Sequence, residues 1–538
     1  MARNTQNIVI ESILGGQSSL GNFTSEGQFK GSYAIDPDQP SADTGTQSVE
    51  ASGFLRPVSS KKIDSGTSFA NAPLHMVSNP KDDFIYIYDA VGSVYTLNPS
   101  NYALAALAED LNDTASDEPQ GSIGNGSAYY DNYIYFARAT TVARYGPLNG
   151  TPSFTEAFWT TTLSKSALLN TTYPSHTNSS YPYPNHPMHR HSDGRLYFGD
   201  VVDNQGMIHY IQTTKTTVEG DTDSSSKEQA LDFGHGLRPI AIDSYNTEIA
   251  IALYEGSNDT STFQKRAILA FWDTASASPN KLIQVEFPDP IITALRNVNG
   301  ILYTFSGQLG SRGTRVCRFV GGYTYEQIAF LPDSLPPFDS AVDHLMNKLM
   351  LAGTITAVND GTALASVWGL GSKTGAFSGV YNIMGATNTS ATAEITSLKV
   401  IDGDDGLNFQ IPVIGHSDGT NHGVDRQTSD YGRISQIWRS ETFRIGQPFK
   451  VLKIRLPLAQ AVAANMTVVP KIFVDEQDTS YTLTTINNTN YADSEKNIVI
   501  RPDNATGEHS FFLELKWSGT ALATFALPIT MEVEILDD

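Results

Sequence analysis

An all-β protein, with a β-propeller as its main body, follows from three features of the sequence. Residues that favour strands are abundant, with 24 Tyr and 25 Phe set among many Thr, Ile and Val. A short apolar burst recurs at intervals close to the size of a propeller blade. After residue 433 the pattern changes to a denser series of alternating strands, which marks a second domain.

The bursts are Phe84-Ile85-Tyr86-Ile87-Tyr88, Tyr133-Ile134-Tyr135-Phe136, Leu196-Tyr197-Phe198, Glu248-Ile249-Ala250-Ile251, Ile301-Leu302-Tyr303-Thr304-Phe305 and Lys348-Leu349-Met350-Leu351, with a weaker seventh at Leu407-Asn408-Phe409-Gln410-Ile411. Anchored on Ile85, Ile134, Leu196, Ile249, Leu302, Leu349 and Leu407, they are spaced by 49, 62, 53, 53, 47 and 58 residues. Four of them are followed by a second strand, at 93–97, 267–272, 315–319 and 365–369. Asp193-Gly194 and Asn299-Gly300 stand just before an anchor, where a hairpin turn needs residues that tolerate positive φ. Seven blades over residues 71–433 fit this spacing best; six or eight blades, or an irregular all-β array, are the alternatives. No unit carries a Trp-Asp ending, a paired-Gly kelch pattern or the Ser-x-Asp-x-Gly box of sialidases.

Residues 434–538 read as a β-sandwich, with strands expected at 450–456, 468–474, 481–486, 497–500, 511–517 and 530–536. In the last of these, Met531, Val533 and Ile535 face one way and Glu532 and Glu534 the other. Pro457, Pro470 and Pro528 are expected at strand ends or edges. Residues 1–70 form a polar arm that cannot bury much surface alone and needs a host, either the propeller or a neighbouring subunit. The ring is expected to close by pairing residues 51–58 with residues 432–438.

Charge and cysteine usage narrow the function. Thirty-five Lys and Arg against 57 Asp and Glu leave a net charge of −22, which repels phosphate and argues against a nucleic-acid partner. No apolar run is long enough to span a membrane, and the start of the sequence lacks the pattern of a signal peptide. The lone Cys317 falls in a strand, where a buried inert thiol is expected. Eleven Asn-x-Ser/Thr triplets, Asn22, Asn112 and Asn258 among them, match chance in a chain so rich in these residues.

Each candidate for chemistry has a plainer structural explanation that outweighs it. His186, His189 and His191 are close enough in sequence for metal ligands, but follow a Tyr-Pro loop and have no nearby Cys or Glu, so a place between blades or in solvent is favoured. The acidic turn Asp402-Gly403-Asp404-Asp405-Gly406 lacks calcium-loop spacing. Residues 221–226 are a weaker version of it. Tyr129, Tyr130 and Tyr133, and the tyrosines from 173 to 183, suit packing better than sugar stacking, and the polar insertion at 163–185 is the expected contact loop. There is no Gly-x-Ser-x-Gly elbow and no phosphate loop. The expectation is therefore no enzyme: no catalytic residues, no cofactor and no metal.

The junction sequence Ile437-Trp438-Arg439-Ser440-Glu441-Thr442-Phe443-Arg444-Ile445-Gly446, with Phe449-Lys450-Val451-Leu452-Lys453-Ile454-Arg455-Leu456, resembles the strand-rich domain that ends structural proteins of tailed bacteriophages. The opening is similar to that class as well, at Ile8-Val9-Ile10-Glu11, Tyr33-Ala34-Ile35-Asp36-Pro37-Asp38 and Gly53-Phe54-Leu55-Arg56-Pro57. The resemblance implies a tail component (nozzle, tail tip or tail-associated), assembled in the host cytoplasm into the virion, with other virion proteins and further copies of itself as partners and a host surface as a further contact. An extracellular glycan-binding or glycan-degrading propeller enzyme with a carbohydrate-binding sandwich is the rival class, and an intracellular scaffold is the third.

Overall fold

The computed structural model describes residues 4–18, 27–38, 54–63, 69–81, 84–90, 92–107, 123–138, 142–159, 186–202, 205–212, 226–255, 267–275, 282–308, 312–356, 362–375, 378–403, 410–428, 435–475, 480–519, 521 and 523–536. Strands dominate, and seven four-stranded antiparallel sheets follow one another along the chain. Their first strands are Pro73–Ser78, Ile123–Tyr130, Met188–Arg190, Leu237–Tyr245, Ile291–Val298, Val342–Leu345 and Glu394–Asp402. The first six apolar bursts are second strands, at Ile85–Asp89, Tyr133–Arg138, Leu196–Val202, Glu248–Glu255, Ile301–Gly307 and Lys348–Ile355; the second strand of the seventh sheet is Gln410–Ser417, while Leu407, Asn408 and Phe409 of the seventh burst lie outside the described residues. The second strands sit centrally because they are buried on both faces: in Ile85–Asp89 every residue is buried.

The turns between first and second strands follow the chemistry of the sequence. Asp131 and Asn132, and Asn299 and Gly300, have positive φ at both turn positions, as a two-residue hairpin of this hand requires. Each first strand packs against the first strand of the next sheet, and Glu394–Asp402 returns to Pro73–Ser78. Ser397 Oγ donates to Pro73 O at 3.0 Å across that last seam. A closed series of this kind is compatible with a β-propeller.

The strand that completes the seventh sheet is not the one expected. Ser59–Lys62 pairs antiparallel with His422–Thr428, in the register Thr428 to Ser59 and Asp425 to Lys62. Of the pair expected to close the ring, residues 51–53 and 432–434 lie outside the described residues, and residues 54–58 lie outside that sheet; Leu55 bridges Phe525 and is fully buried with it, and Pro57 bridges Ile35. Ile437–Arg439 pairs with Gly31–Tyr33 and with Ser510–Trp517 instead. The apolar Leu55 is drawn into a hydrophobic core, while the polar Ser59-Ser60-Lys61-Lys62 suffices for a sheet edge, where backbone bonds carry the pairing.

The remaining strands form a short parallel pair, Gly16–Gln17 with Gln28–Phe29, and two larger sheets whose inner faces share one hydrophobic cluster. One has the order Thr5–Ile10, Ile529–Ile535, Phe449–Pro457, Asn497–Ile500, with Thr506–Gly507 also on Phe449–Pro457. The other runs Ser480–Thr482, Val468–Val474, Ser510–Trp517, Ile437–Arg439, Gly31–Tyr33, with Phe443–Arg444 also on Ser510–Trp517. The amino-terminal segment therefore finds its host within its own chain, and largely in these sheets. Asp36 and Lys348, both almost fully buried, form an ion pair at 2.6 Å that fixes it to the sixth sheet as well. Pro470 stands inside Val468–Val474 rather than at an end. Its carbonyl faces Leu483, so its donor-less nitrogen faces that side too and leaves the Ser510–Trp517 ladder intact.

Candidate functional site

All seven first strands, or the residues beside them, meet around one cavity of about 250 Å³. His75 comes from the first sheet, Ser127 from the second, His189 from the third, Asp243 from the fourth, Arg296 from the fifth, Asp343 from the sixth and Lys399 from the seventh, with Asp339 from the turn before the sixth. Alternation sends one residue of each pair inward, and a closed ring of short strands brings those inward residues together.

Arg296 is the hub. Its Nη2 donates to Val342 O at 2.6 Å and Asp339 O at 3.1 Å, and lies 3.9 Å from Asp339 Oδ1. Burial works against its charge, but Asp339, Asp343 and Asp243 outweigh that and raise its pKa. Burial pushes the Asp339 carboxyl up to about 6, with Arg296 opposing and Asp243 reinforcing the shift. Asp343 goes the other way: burial is overcome by Lys399, Arg296 and the Val400 N–H, and its carboxyl is held below the usual range. Burial, with Lys399 and Arg296, lowers His75 to about 3, so its ring is neutral.

The carboxylates also staple neighbouring sheets. Asp243 Oδ2 accepts the Asn297 N–H at 2.8 Å, Asp343 Oδ2 accepts that of Val400 at 2.8 Å, and Asp339 Oδ1 accepts that of Leu295 at 3.4 Å. Each bond crosses from one sheet to the next, so the polar axis holds the ring together while remaining lined with ionisable groups.

The candidates named from sequence are dispersed. His189 Nε2 and His191 Nδ1 both meet Ser244 Oγ, at 2.6 and 2.8 Å, across the seam of the third and fourth sheets. His189 Nδ1 lies 3.6 Å from Asp243 Oδ1. His186 is buried elsewhere, with its Nδ1 3.1 Å from Gly199 O and 3.6 Å from Asp200, which His209 approaches from the other side at 3.4 Å. The three histidines thus do not converge, and among the described residues no group of three or more His, Cys, Asp or Glu is placed to hold a metal ion. Asp402 accepts from the side chain of Gln410 at 2.8 Å, while Asp404 and Asp405 lie outside the described residues, as do residues 163–185, 221–225, Asn22, Asn112 and Asn258. Cys317 is buried, and burial pushes its thiol up to about 11. Tyr130 donates to Gly194 O at 2.8 Å, a bond from the second sheet to the third, and Tyr133 supports the Arg144 guanidinium, 4.2 Å from its ring centre. Ser244, Arg296 and Asp339 were not signalled by any local motif.

No family model matches the chain, and no curated protein does. Among solved structures, an extracellular domain assigned to a one-component system of B. thetaiotaomicron is similar at 11% identity, with a TM-score of 0.42 over 88% of this chain and 59% of that one. The chain therefore spans under two thirds of that protein. The WD40 domain of Neurospora crassa Pan2 is similar at 9% identity, with a TM-score of 0.41 over 73% of this chain and 97% of that one. A computationally designed protein, Ika8, is similar at 11% identity, with a TM-score of 0.35 over 66% and 98%.

Proposed function

We propose that this chain is a structural protein of a tailed-bacteriophage virion, acting in the tail through protein–protein assembly. In this reading residues 71–433 are a seven-bladed propeller, closed by Ser59–Lys62, and residues 434–538 are a β-sandwich completed by strands of residues 1–70. One observation carries the reading: residues that bear the resemblance join the two units. Ile437–Arg439 lies between Gly31–Tyr33 and Ser510–Trp517 in the sandwich, and the residues that follow Tyr33 cross to the sixth sheet, where the Ile35 N–H donates to Asn382 O at 2.9 Å and Asp36 pairs with Lys348. A chain whose opening residues are sewn into both units suits a part that transmits force without coming apart. The polar axis, whose carboxylates are engaged by backbone N–H groups, suits a role without catalysis.

The test is direct. Mass spectrometry of purified virions should recover this chain at fixed stoichiometry with portal and tail proteins, and gold-labelled antibody should decorate the tail. A chain found only in the infected-cell lysate, and absent from particles, would overturn the reading.

A further inference from the structure

The sheet that begins with Thr5–Ile10 ends with Asn497–Ile500, and among the described residues neither strand is paired on its outer side. The two edges carry the same tetrapeptide: Asn7-Ile8-Val9-Ile10 on one, Asn497-Ile498-Val499-Ile500 on the other. Their hydrogen-bonding faces also match. Ile535 N–H donates to Asn4 O, so Asn4, Gln6, Ile8 and Ile10 bond inward, and the backbone groups of Thr5, Asn7 and Val9 point out from the edge. Leu458 N–H donates to Lys496 O, so Lys496, Ile498 and Ile500 bond inward, and those of Asn497 and Val499 point out. Side chains agree, since Ile8, Ile10, Ile498 and Ile500 are buried while Val9 is 42% exposed.

We infer that Thr5–Ile10 of one copy pairs with Asn497–Ile500 of a second copy of this chain, edge to edge, in a head-to-tail assembly. The direction follows from the sheet: its main path has four strands, all antiparallel to their neighbours, so the two edge strands run in opposite senses. A copy rotated about an axis along the strands keeps its strand direction, and the new pair is antiparallel. Placing Val9 opposite Val499 sets Ile8 beside Ile500 and Ile10 beside Ile498 on the core face, continuing both patterns. The same register brings Glu11, an exposed acid, against Asn497 beside the exposed Lys496. Charge complementarity therefore accompanies the backbone match. Thr5–Ile10 carries none of the usual edge defences, with no Lys, no Pro and no Gly. Because the two edges differ, each copy uses one to receive and one to give, which produces a ring if the rotation closes.

This deepens the assembly reading but does not require a phage particle for its test. The double variant V9C/V499C of the full chain is oxidised mildly and run without reductant. Within one chain the two positions lie at opposite edges of the sheet, three strand spacings of about 4.8 Å apart, beyond disulfide reach. The native Cys317 is buried and does not compete. A reducible ladder of dimers and higher species is expected, and a mixture of V9C with V499C should give one cross-linked dimer. Val9→Lys, at an exposed position, should keep the sheet spectrum and melting temperature while lowering the mass seen by light scattering to that of a monomer. Oligomers that persist unchanged in Val9→Lys and give no ladder would overturn the edge pairing while leaving assembly intact. A wild-type chain that is monomeric at all concentrations would overturn the edge pairing, and the virion measurement would then decide the assembly reading separately. V9C–V9C dimers formed by V9C alone, with no V9C–V499C dimer in the mixture, would overturn the head-to-tail geometry.

Discussion

Replacing Lys348 by methionine removes the ammonium that anchors the amino-terminal segment and leaves the rest of the side chain to fill the same space. In the wild type its Nζ is 2.6 Å from Asp36 Oδ1 and 3.7 Å from Asp38 Oδ2. Lys348 and Asp36 are each 2% exposed, so neither has water as an alternative partner. Breaking a buried pair by deleting one member costs about 3–5 kcal/mol, because the other charge stays behind in a poor solvent. The upper part of that range is expected here, since Asp38 lies nearby and the remaining Lys373 contacts it through a backbone N–H at 2.8 Å. The assay is urea unfolding at pH 7 followed by tryptophan fluorescence, with K348M compared to the double variant D36N/K348M. The double variant should recover most of the loss, because an amide carries no charge to strand. The pH dependence has a definite sign. Burial would raise Asp36, but Lys348 overcomes it and the carboxyl is held below its ordinary value. A depressed folded pKa gives stability that is complete above about pH 4 and disappears as the pH falls through the folded value. The K348M penalty should therefore shrink as the pH falls below about 4. A penalty under about 1 kcal/mol at pH 7, typical of a surface pair, would refute the claim that this ion pair is buried and functional as an anchor.

Asp339 should show the opposite pH behaviour. Its folded pKa of about 6 stabilises the protein below the ordinary carboxylate range, and that contribution is lost as the pH rises through 6. Asp339→Asn should flatten the melting temperature between about pH 4 and 7, measured by calorimetry; an unchanged slope would count against the burial argument. Gly206→Ala should cost about 1–3 kcal/mol in urea unfolding, because its Cβ would stand 2.1 Å from Leu237 O on the backbone of the next sheet. Cys317 should ignore a thiol reagent such as Ellman's until denaturant is added, and labelling of the native protein would contradict its raised pKa and burial.

The parts that were legible in the sequence are those where one face or both faces of a strand are buried. Tyr135, Ile249 and Leu302 stand out as apolar bursts because both sides of a central strand lose water, and the alternation of Met531 and Val533 with Glu532 and Glu534 survives because only one side does. Ser59–Lys62 was missed because pairing there rests on backbone bonds, and Ser60 Oγ reaching Gly385 O at 2.6 Å leaves no apolar trace. Residues 51–58 read as the closing strand because they are the only strand-like stretch ahead of the first burst, yet Leu55 within them belongs to the core around Phe525. The axial cavity was illegible for a different reason. Asp243, Arg296, Asp343 and Lys399 are each a single charged residue within an ordinary strand, and only the curvature of the whole ring brings them within reach of one another. His189 and His191 were visible as a pair, but Ser244, the atom they share, is more than 50 residues away.

The pairing of Thr5–Ile10 with Ile529–Ile535 has a consequence for how the molecule comes into being. The first strand leaves the ribosome more than 500 residues before its partner exists, and Ser59–Lys62 waits for His422–Thr428 in the same way. At about 5–20 residues per second that interval is roughly half a minute to two minutes. For most of it the nascent chain carries both strands unpaired, until His422–Thr428 emerges for Ser59–Lys62, while the intervening sheets can form hairpin by hairpin as they emerge. Newly made copies translated side by side on one messenger would then expose the same waiting strands to each other's late-arriving partners. Polysome density should consequently influence how much of this protein reaches its native state.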